Sequence, residues 1–524
     1  MKPWIKEAEY LTQVLPEYRD NPLIQALPDI MSDSDTLYLL TKEPAYSPKE
    51  RDMESRYRLH CIARLLNDYY QPLPQHLDIE TRISVCLRQG YRNRNPLDRG
   101  YALMANESFD AMKEKRYPRP VPGYHPNMAG FTIIGVSGVG KSTAVESILH
   151  LYPQVILHRE YKGQPLHARQ IVWLKLDCPH DGSRGELCYR FFKAVDDLVG
   201  TEYLDQYKKS RITIDSMLTL MQRIAQEFSL GLLVVDEVQH LSLAKGGSDA
   251  MLNFFVTLEN TIGVPVILIG TSKALPLLQG QFRQARRASG HGALIWNRMK
   301  KERSWITFVQ SIWKYQWIRN EVKLTPQMLD AVYEETQGII VLAVALYVLI
   351  QEDAIQSARE TFTIEDIRRI SRERMSLVQP MLEALRKNDQ KEIDKYEDIT
   401  EILMDDIRSN LSQHQEAMME AKTKTAAGQS YNRVHDEILD ILVRMNYPPE
   451  KVEPLVEQAY RETKSTEFAT VFSRVLELTR QTSSAEATES KEPVESKEPV
   501  ESRELENKTY ADLSESGLVD DTQW

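Results

Sequence analysis

The 524-residue chain has only four cysteines, Cys61, Cys86, Cys178 and Cys188, and no CxxC pair. That excludes a zinc ribbon and a thioredoxin-type motif, and it fits a reducing compartment. Its eleven histidines form no HExxH or other ligand spacing, so no metal chemistry is read from them. No apolar run is long enough to cross a bilayer, which takes ~20 residues. The longest, Ile339 to Ile350, reads as a buried helix. The opening MKPWIKEAEY lacks the apolar stretch of a signal peptide. The expectation is a soluble cytoplasmic protein with no membrane partner.

The net charge of −11 is unevenly spread. From Thr482 to Trp524 twelve acids face four bases, which accounts for −8 and leaves only −3 for the rest. The acidity describes a tail, so it does not argue against a DNA partner. The tail runs through ESKEPV twice, at 489–494 and 495–500, and its composition predicts disorder over 482–524.

The remaining chain divides by pattern. Residues 1–125 mix short helical stretches with loops, and four prolines at 118, 120, 122 and 126 mark an extended connector. Residues 126–312 alternate short apolar runs with helical ones: FTIIG (131–135), IVWLKLD (171–177), LLVVD (232–236), VPVILIG (264–270) and WITFVQ (305–310). Such runs between helices predict a parallel sheet buried on both faces, an α/β fold. Residues 313–388 have helical spacing and read as a small helical lid, and 389–481 as a charged helical region.

The strongest motif is Gly135-Val-Ser-Gly-Val-Gly-Lys141-Ser142, a full GxxxxGK[ST] match between a strand and an amphipathic helix. Glycines let the backbone N–H groups of Gly135, Ser137, Gly138, Val139 and Gly140 surround phosphates, and the helix from Lys141 through Thr143 adds its positive end. Lys141 would reach the β- and γ-phosphates of ATP, and Ser142 would ligate magnesium. Further on, LLVVDE ends in two acids, the form of a Walker B strand. Asp236 would hold the magnesium and Glu237 would orient the attacking water. An acid directly after the Walker B aspartate points to ATP hydrolysis. The strand VPVILIG ends in Gly270-Thr271-Ser272, where Thr271 would sense the γ-phosphate, cap the following helix, or both.

Residues 273–303 hold eight bases against the one acid Glu302, with Arg283, Arg286 and Arg287 in five positions. One of these three would act on the nucleotide of a neighbouring subunit; otherwise they form a solvated basic face. The loops flanking the second strand carry Lys162, Arg169 and Arg184, candidate contacts to a phosphate backbone. RQGYRNRNP (88–96) is a further candidate for a partner or DNA surface.

Together these features resemble an AAA+ P-loop ATPase with a mixed N-terminal extension. Stretches such as YRDNPLIQALP (18–28), NDYYQPLPQHL (67–77), RISVCLRQGYRNRNP (82–96), LLVVDEVQHLS (232–242) and RQARRASGHGALIW (283–296) resemble the TnsC family, AAA+ regulators of target selection in transposons. The likeness covers roughly residues 10–390. It implies ATP binding, assembly as a ring or filament on double-stranded DNA, and a link between a target-site selector and transposase subunits, in a bacterial cytoplasm. By the same likeness the N-terminal region would meet the selector and the C-terminal region the transposase. One departure is visible: TQGIIVLAVALY has no arginine near Gly338, so a lid sensor is missing or comes from Arg368 or Arg369. The rival readings are a replication initiator or helicase loader, weakened by the lack of a C-terminal helix-turn-helix pattern, a signalling ATPase, which would need an effector domain, and a scaffold that binds ATP without turning it over.

Overall fold

The computed structural model describes residues 4–114, 130–208, 212–243, 254, 263–274, 292–393, 395, 403–404, 407, 435, 438–439, 441–442, 448–463 and 468–488. Arg283, Arg286, Arg287, the proline connector from 115 to 129 and the tail beyond Thr488 lie outside these residues.

Eight strands occur among the described residues: β1 (Ile5–Glu7), β2 (Phe131–Gly135), β3 (Val155–Tyr161), β4 (Gln164–Ile171), β5 (Trp173–Asp177), β6 (Leu232–Asp236), β7 (Val266–Gly270) and β8 (Ala293–Trp296). Five form a parallel sheet in the order β5-β6-β7-β2-β8. Side chains alternate across a strand, and here both faces are covered. Phe131, Ile133, Leu232, Val234, Ile267 and Ile269 enter one apolar cluster; Ile134, Leu233, Val235, Val266 and Leu268 enter the other. Uninterrupted apolar runs are what such a sheet requires. Helices Arg184–Val199 and Ile214–Glu227 cover the second face. The helix Lys141–Leu149, the N-terminal helix Pro74–Arg92 and the lid cover the first.

The fifth strand is not WITFVQ. Those residues lie in the helix Arg303–Trp313, because Trp305, Phe308, Val309 and Ile312 are buried while Ile306 and Thr307 face out. That is the i, i+3, i+4, i+7 spacing of an amphipathic helix, which overrides the strand preference of the individual residues. The sheet edge is instead β8, outside any run picked out by its apolar pattern.

A second sheet, β1-β3-β4, also departs from expectation. The charged stretch from His158 to Ile171 is a β-hairpin, not a pair of loops. Lys162 and Gly163 have φ of 50° and 77°, the left-handed pair that a two-residue hairpin turn demands. Its exposed positions carry Arg159, Glu160, Gln164, His167 and Arg169, and this polar composition hides the strand pattern. β1 then pairs parallel with β3.

Among the described residues the N-terminal region shares its core with the rest. Leu23, Ile24, Ile62, Leu65, Ile79, Ile83 and Leu87 share one cluster with the lid and the sheet. Arg88 and Arg94, offered above as a partner or DNA surface, are buried. Arg88 donates to Ser84 Oγ and to the Pro28 carbonyl, both at 2.6 Å. Arg94 donates to the Leu230 carbonyl, and Tyr91 Oη to that of Ser229 at 3.0 Å. Arg94 and Tyr91 fasten the helix Pro74–Arg92 to the turn that leads into β6, while Arg88 ties that helix to Pro28.

In the lid, the apolar run Ile339–Ile350 lies in the buried helix Ile340–Gln356. Thr325 and Thr363 cap its neighbours Pro326–Thr336 and Ile364–Arg374, each by accepting a backbone N–H at its hydroxyl. Among the described residues no single helix is long and apolar enough to cross a membrane.

Residues 413–524 form a second compact unit, so the division falls inside the stretch 389–481 read as one region. Its helices Pro449–Thr463 and Phe468–Thr488 pack through Val452, Val456, Val471 and Val475. The expected tail is therefore helical in its first seven residues: the apolar spacing of Phe468–Leu478 starts a helix that Ala485 and its neighbours continue.

Candidate nucleotide site

Strand β2 ends at Gly135, and Val136–Gly140 turn the chain into the helix Lys141–Leu149. Gly138 and Gly140 have φ of 75° and 95°, a region that costs other L-residues energy. Val139 anchors the loop, its side chain 1% exposed in the core. Lys141 is buried and its Nζ donates to the carbonyls of Gly135 (3.0 Å) and Val136 (2.9 Å).

The sheet order fixes what faces this loop. β7 lies between β2 and β6, so Thr271, just beyond β7, stands between the phosphate loop and the acids ending β6. Asp236 is 2% exposed; its Oδ1 accepts the Glu237 N–H at 2.9 Å and its Oδ2 lies 3.3 Å from Lys175 Nζ. Lys175 also reaches Asp177 at 3.2 Å. Burial pulls the Lys175 ammonium down, but the Asp236 and then the Asp177 carboxylate outweigh it and raise its pKa above the ordinary lysine value.

A cavity of about 530 Å³ opens here, lined by Ser137, Gly138, Val139, Gly140, Lys141, Ser142, Thr143, Glu237 and Thr271. Gly135 and Asp236 lie just behind that lining, bonded to Lys141 and Glu237. The far wall was not foreseen as a binding surface. It comes from the N-terminal region (Leu65, Tyr69, Tyr70, His76), from Phe308, and from the lid (Ile340, Val341, Val344). Val341 N donates to the Gly138 carbonyl at 3.5 Å. Burial pushes the His76 imidazole down to about 4, so it is neutral near pH 7. Its Nδ1 accepts the Leu73 N–H at 2.8 Å, which leaves the proton on Nε2 for Tyr70 Oη at 2.7 Å. The glycine-rich end of the cavity thus adjoins an apolar and aromatic end. NDYYQPLPQHL carried a family likeness in the sequence but no readable chemistry.

The other expected residues fall elsewhere. Lys162 sits in the hairpin turn, ion-paired to Asp20; Arg169 lies on β4 and donates to the Val199 carbonyl at 3.4 Å; Arg184 opens the helix Arg184–Val199. Arg368 pairs with Glu334 at 3.5 Å, and Arg369 with Asp353 at 2.7 Å and Glu373 at 2.9 Å. Neither arginine lines the cavity. Both are engaged in ion pairs of the lid.

This sheet order, with a phosphate loop on the strand next to the edge and an acidic pair two strands away, defines the AAA+ P-loop fold. Residues 129–278 match the family model described as an AAA domain. Similar solved structures include the Walker-type ATPase of Pyrococcus abyssi, at 13% identity over 57% of this chain and 78% of that one, TM-score 0.33. The Aeropyrum pernix Orc1 protein in complex with DNA matches at 14% over 61% and 70%, TM-score 0.36. Cdc6p from Pyrobaculum aerophilum matches at 14% over 68% and 89%, TM-score 0.37. Likeness at this level transfers no function. No curated protein matches the chain.

Proposed function

We propose that the chain binds and hydrolyses ATP with magnesium, and that this turnover times an assembly on double-stranded DNA. The observation that carries the first part is the meeting of Lys141, Glu237 and Thr271 around one cavity, with Asp236 directly behind Glu237. Lys141 binds the phosphates. The Ser142 hydroxyl and Asp236 carboxylate are hard oxygen donors of the kind magnesium takes, and Asp236, which pairs with Lys175 Nζ at 3.3 Å, would share its charge between the two cations. Magnesium held by these residues would neutralise phosphate charge. Glu237 orients a water and takes its proton as the new bond to the γ-phosphorus forms and the bond to the ADP oxygen breaks. Thr271 meets the γ-phosphate from the strand tip. An arginine among Arg283, Arg286 and Arg287 of a neighbouring subunit would complete the site.

The second part rests on the resemblance to the TnsC family. In this reading the ATP-bound oligomer on DNA links a target-site selector to transposase subunits, and hydrolysis releases it. Lys162, Arg169 and Arg184 are its proposed backbone contacts. The test is sedimentation of the full chain with random duplex DNA, with ATP, ADP or no nucleotide, across a salt series. ATP-dependent, salt-sensitive, sequence-independent assembly is expected. No assembly in any nucleotide state would sink the DNA reading and leave the nucleotide site standing. Preference for one duplex sequence, lost on removing residues 413–524, would favour the replication-initiator reading instead.

A further inference from the structure

The turn after β6 holds a buried polar side chain to which hydrolysis, as described, gives no role. Asp236 ends the strand, Glu237 takes a left-handed φ of 56°, and a short 3-10 helix, Val238–Leu243, follows. This turn sends Gln239 back beneath the tip of β7. Gln239 is 4% exposed and lines the same cavity as Glu237 and Thr271. Its Oε1 accepts the Thr271 backbone N–H at 3.1 Å, and its Nε2 donates to Glu237 Oε2. The partners fix which end is which, because a backbone N–H only donates and a carboxylate only accepts. Packing fixes the position as well. A Cβ at residue 270 would stand 3.1 Å from Gln239 Oε1 and 2.8 Å from Val238 Cγ2, so glycine there makes the room.

We propose that Gln239 is a positioning residue for ATP hydrolysis. Its planar carboxamide holds the Glu237 carboxylate and ties it to the backbone of Thr271, the strand tip placed to meet the γ-phosphate. A shift of that tip moves the carboxylate with it, so the arrival of the phosphate is relayed to the group that orients water. The inference rests on the hydrolysis reading above and adds to it the residue that sets the Glu237 geometry.

The test uses the full chain and two substitutions. Gln239→Met keeps length and most of the volume but removes both hydrogen bonds. Gln239→Glu keeps the acceptor for Thr271 N–H and replaces the donor with a carboxylate that repels Glu237. Steady-state ATP hydrolysis is measured beside equilibrium binding of a fluorescent ATP analogue, with wild type and Glu237→Gln in parallel. Both substitutions should lower kcat at least tenfold while ATP affinity stays within twofold, and Gln239→Glu should be the more severe. Should Gln239→Met not fold, Gln239→Glu, which retains the shape and one bond, decides by itself. An unchanged or raised kcat overturns the proposal, as does a loss of ATP affinity in step with kcat, the mark of a merely structural side chain. If Glu237→Gln loses turnover and the Gln239 variants do not, hydrolysis stands and the Gln239 role falls. If wild type binds ATP and never turns it over, both fall.

Discussion

Replacing Arg58 with methionine would show how the N-terminal region is held against the lid. The guanidinium is fully buried. It donates to Glu360 Oε2 through Nη1 and to Oε1 through Nη2, each at 2.6 Å, and Nη1 also donates to the Trp317 carbonyl at 3.0 Å. Methionine fills most of the space and leaves the Glu360 carboxylate without its main partner. Removing one member of a buried ion pair costs about 3–5 kcal/mol. Glu360 is 14% exposed and keeps the Arg319 N–H at 3.1 Å, so the lower end, about 3 kcal/mol, is expected. The double variant Arg58→Met/Glu360→Met strands no charge and should lose less than the Arg58 variant alone. Urea unfolding of the full chain, followed by the fluorescence of buried Trp313 and Trp317, gives the midpoints. A pH series supplies a second check. The Arg58 hydrogen bonds hold the Glu360 carboxyl below its ordinary value near 4.5. A depressed acid stabilises the fold above its unfolded pKa, and that contribution is lost as pH falls through the folded one. Wild type should therefore lose lid stability below about pH 4.5, and Arg58→Met should respond less. A double variant that loses the full sum of the two single losses would refute the reasoning, because the pair would then carry no coupling.

Lys141→Ala should abolish binding of a fluorescent ATP analogue, whereas Glu237→Gln should keep binding, lose about 100-fold or more in turnover and leave the ATP-bound oligomer trapped on DNA in sedimentation. Equal loss of DNA binding in both would end the timer model. Gly135→Ala should give insoluble protein, read by soluble expression, because its Cβ would lie 2.1 Å from the Trp296 carbonyl oxygen, a backbone atom of the paired strand β8. Burial raises the Asp366 carboxyl, but bonds from Arg359, the Thr363 N–H and Arg369 outweigh it and bring it down to about 2. Between its ordinary 3.8 and that value, acidification should remove about 2 kcal/mol of lid stability, which Asp366→Asn should abolish as a pH-dependent component of urea unfolding.

The candidate phosphate loop was legible because it is local. A loop that wraps phosphate with backbone N–H groups needs glycines at fixed spacing before a helix, and that spacing is written in eight consecutive residues. The acidic pair ending β6 was legible for the same reason, since an apolar strand followed by two charges marks its own end. Burial of both sheet faces could be read from uninterrupted apolar runs. Local preference also misled where period and composition disagree. WITFVQ has strand residues in a helical rhythm, and the β3–β4 hairpin has charged residues on a strand that is half exposed.

Contacts between distant segments left no such trace. Arg88 and Arg94 look like surface charge in sequence, yet the fold turns them onto backbone carbonyls of Pro28 and Leu230. Arg58 meets Glu360 across 302 residues. The apolar wall of the cavity joins Tyr69, Phe308 and Ile340, and no window of sequence contains all three. Gln239 is one letter in a Walker B strand's wake until β7 comes to lie between β2 and β6. The sequence by itself determined the glycine-rich loop and the acidic pair after β6, because each is written in neighbouring residues. The tertiary structure alone decided the far wall, the inward arginines and the link from Glu237 to Thr271, because each depends on which elements the sheet order sets side by side.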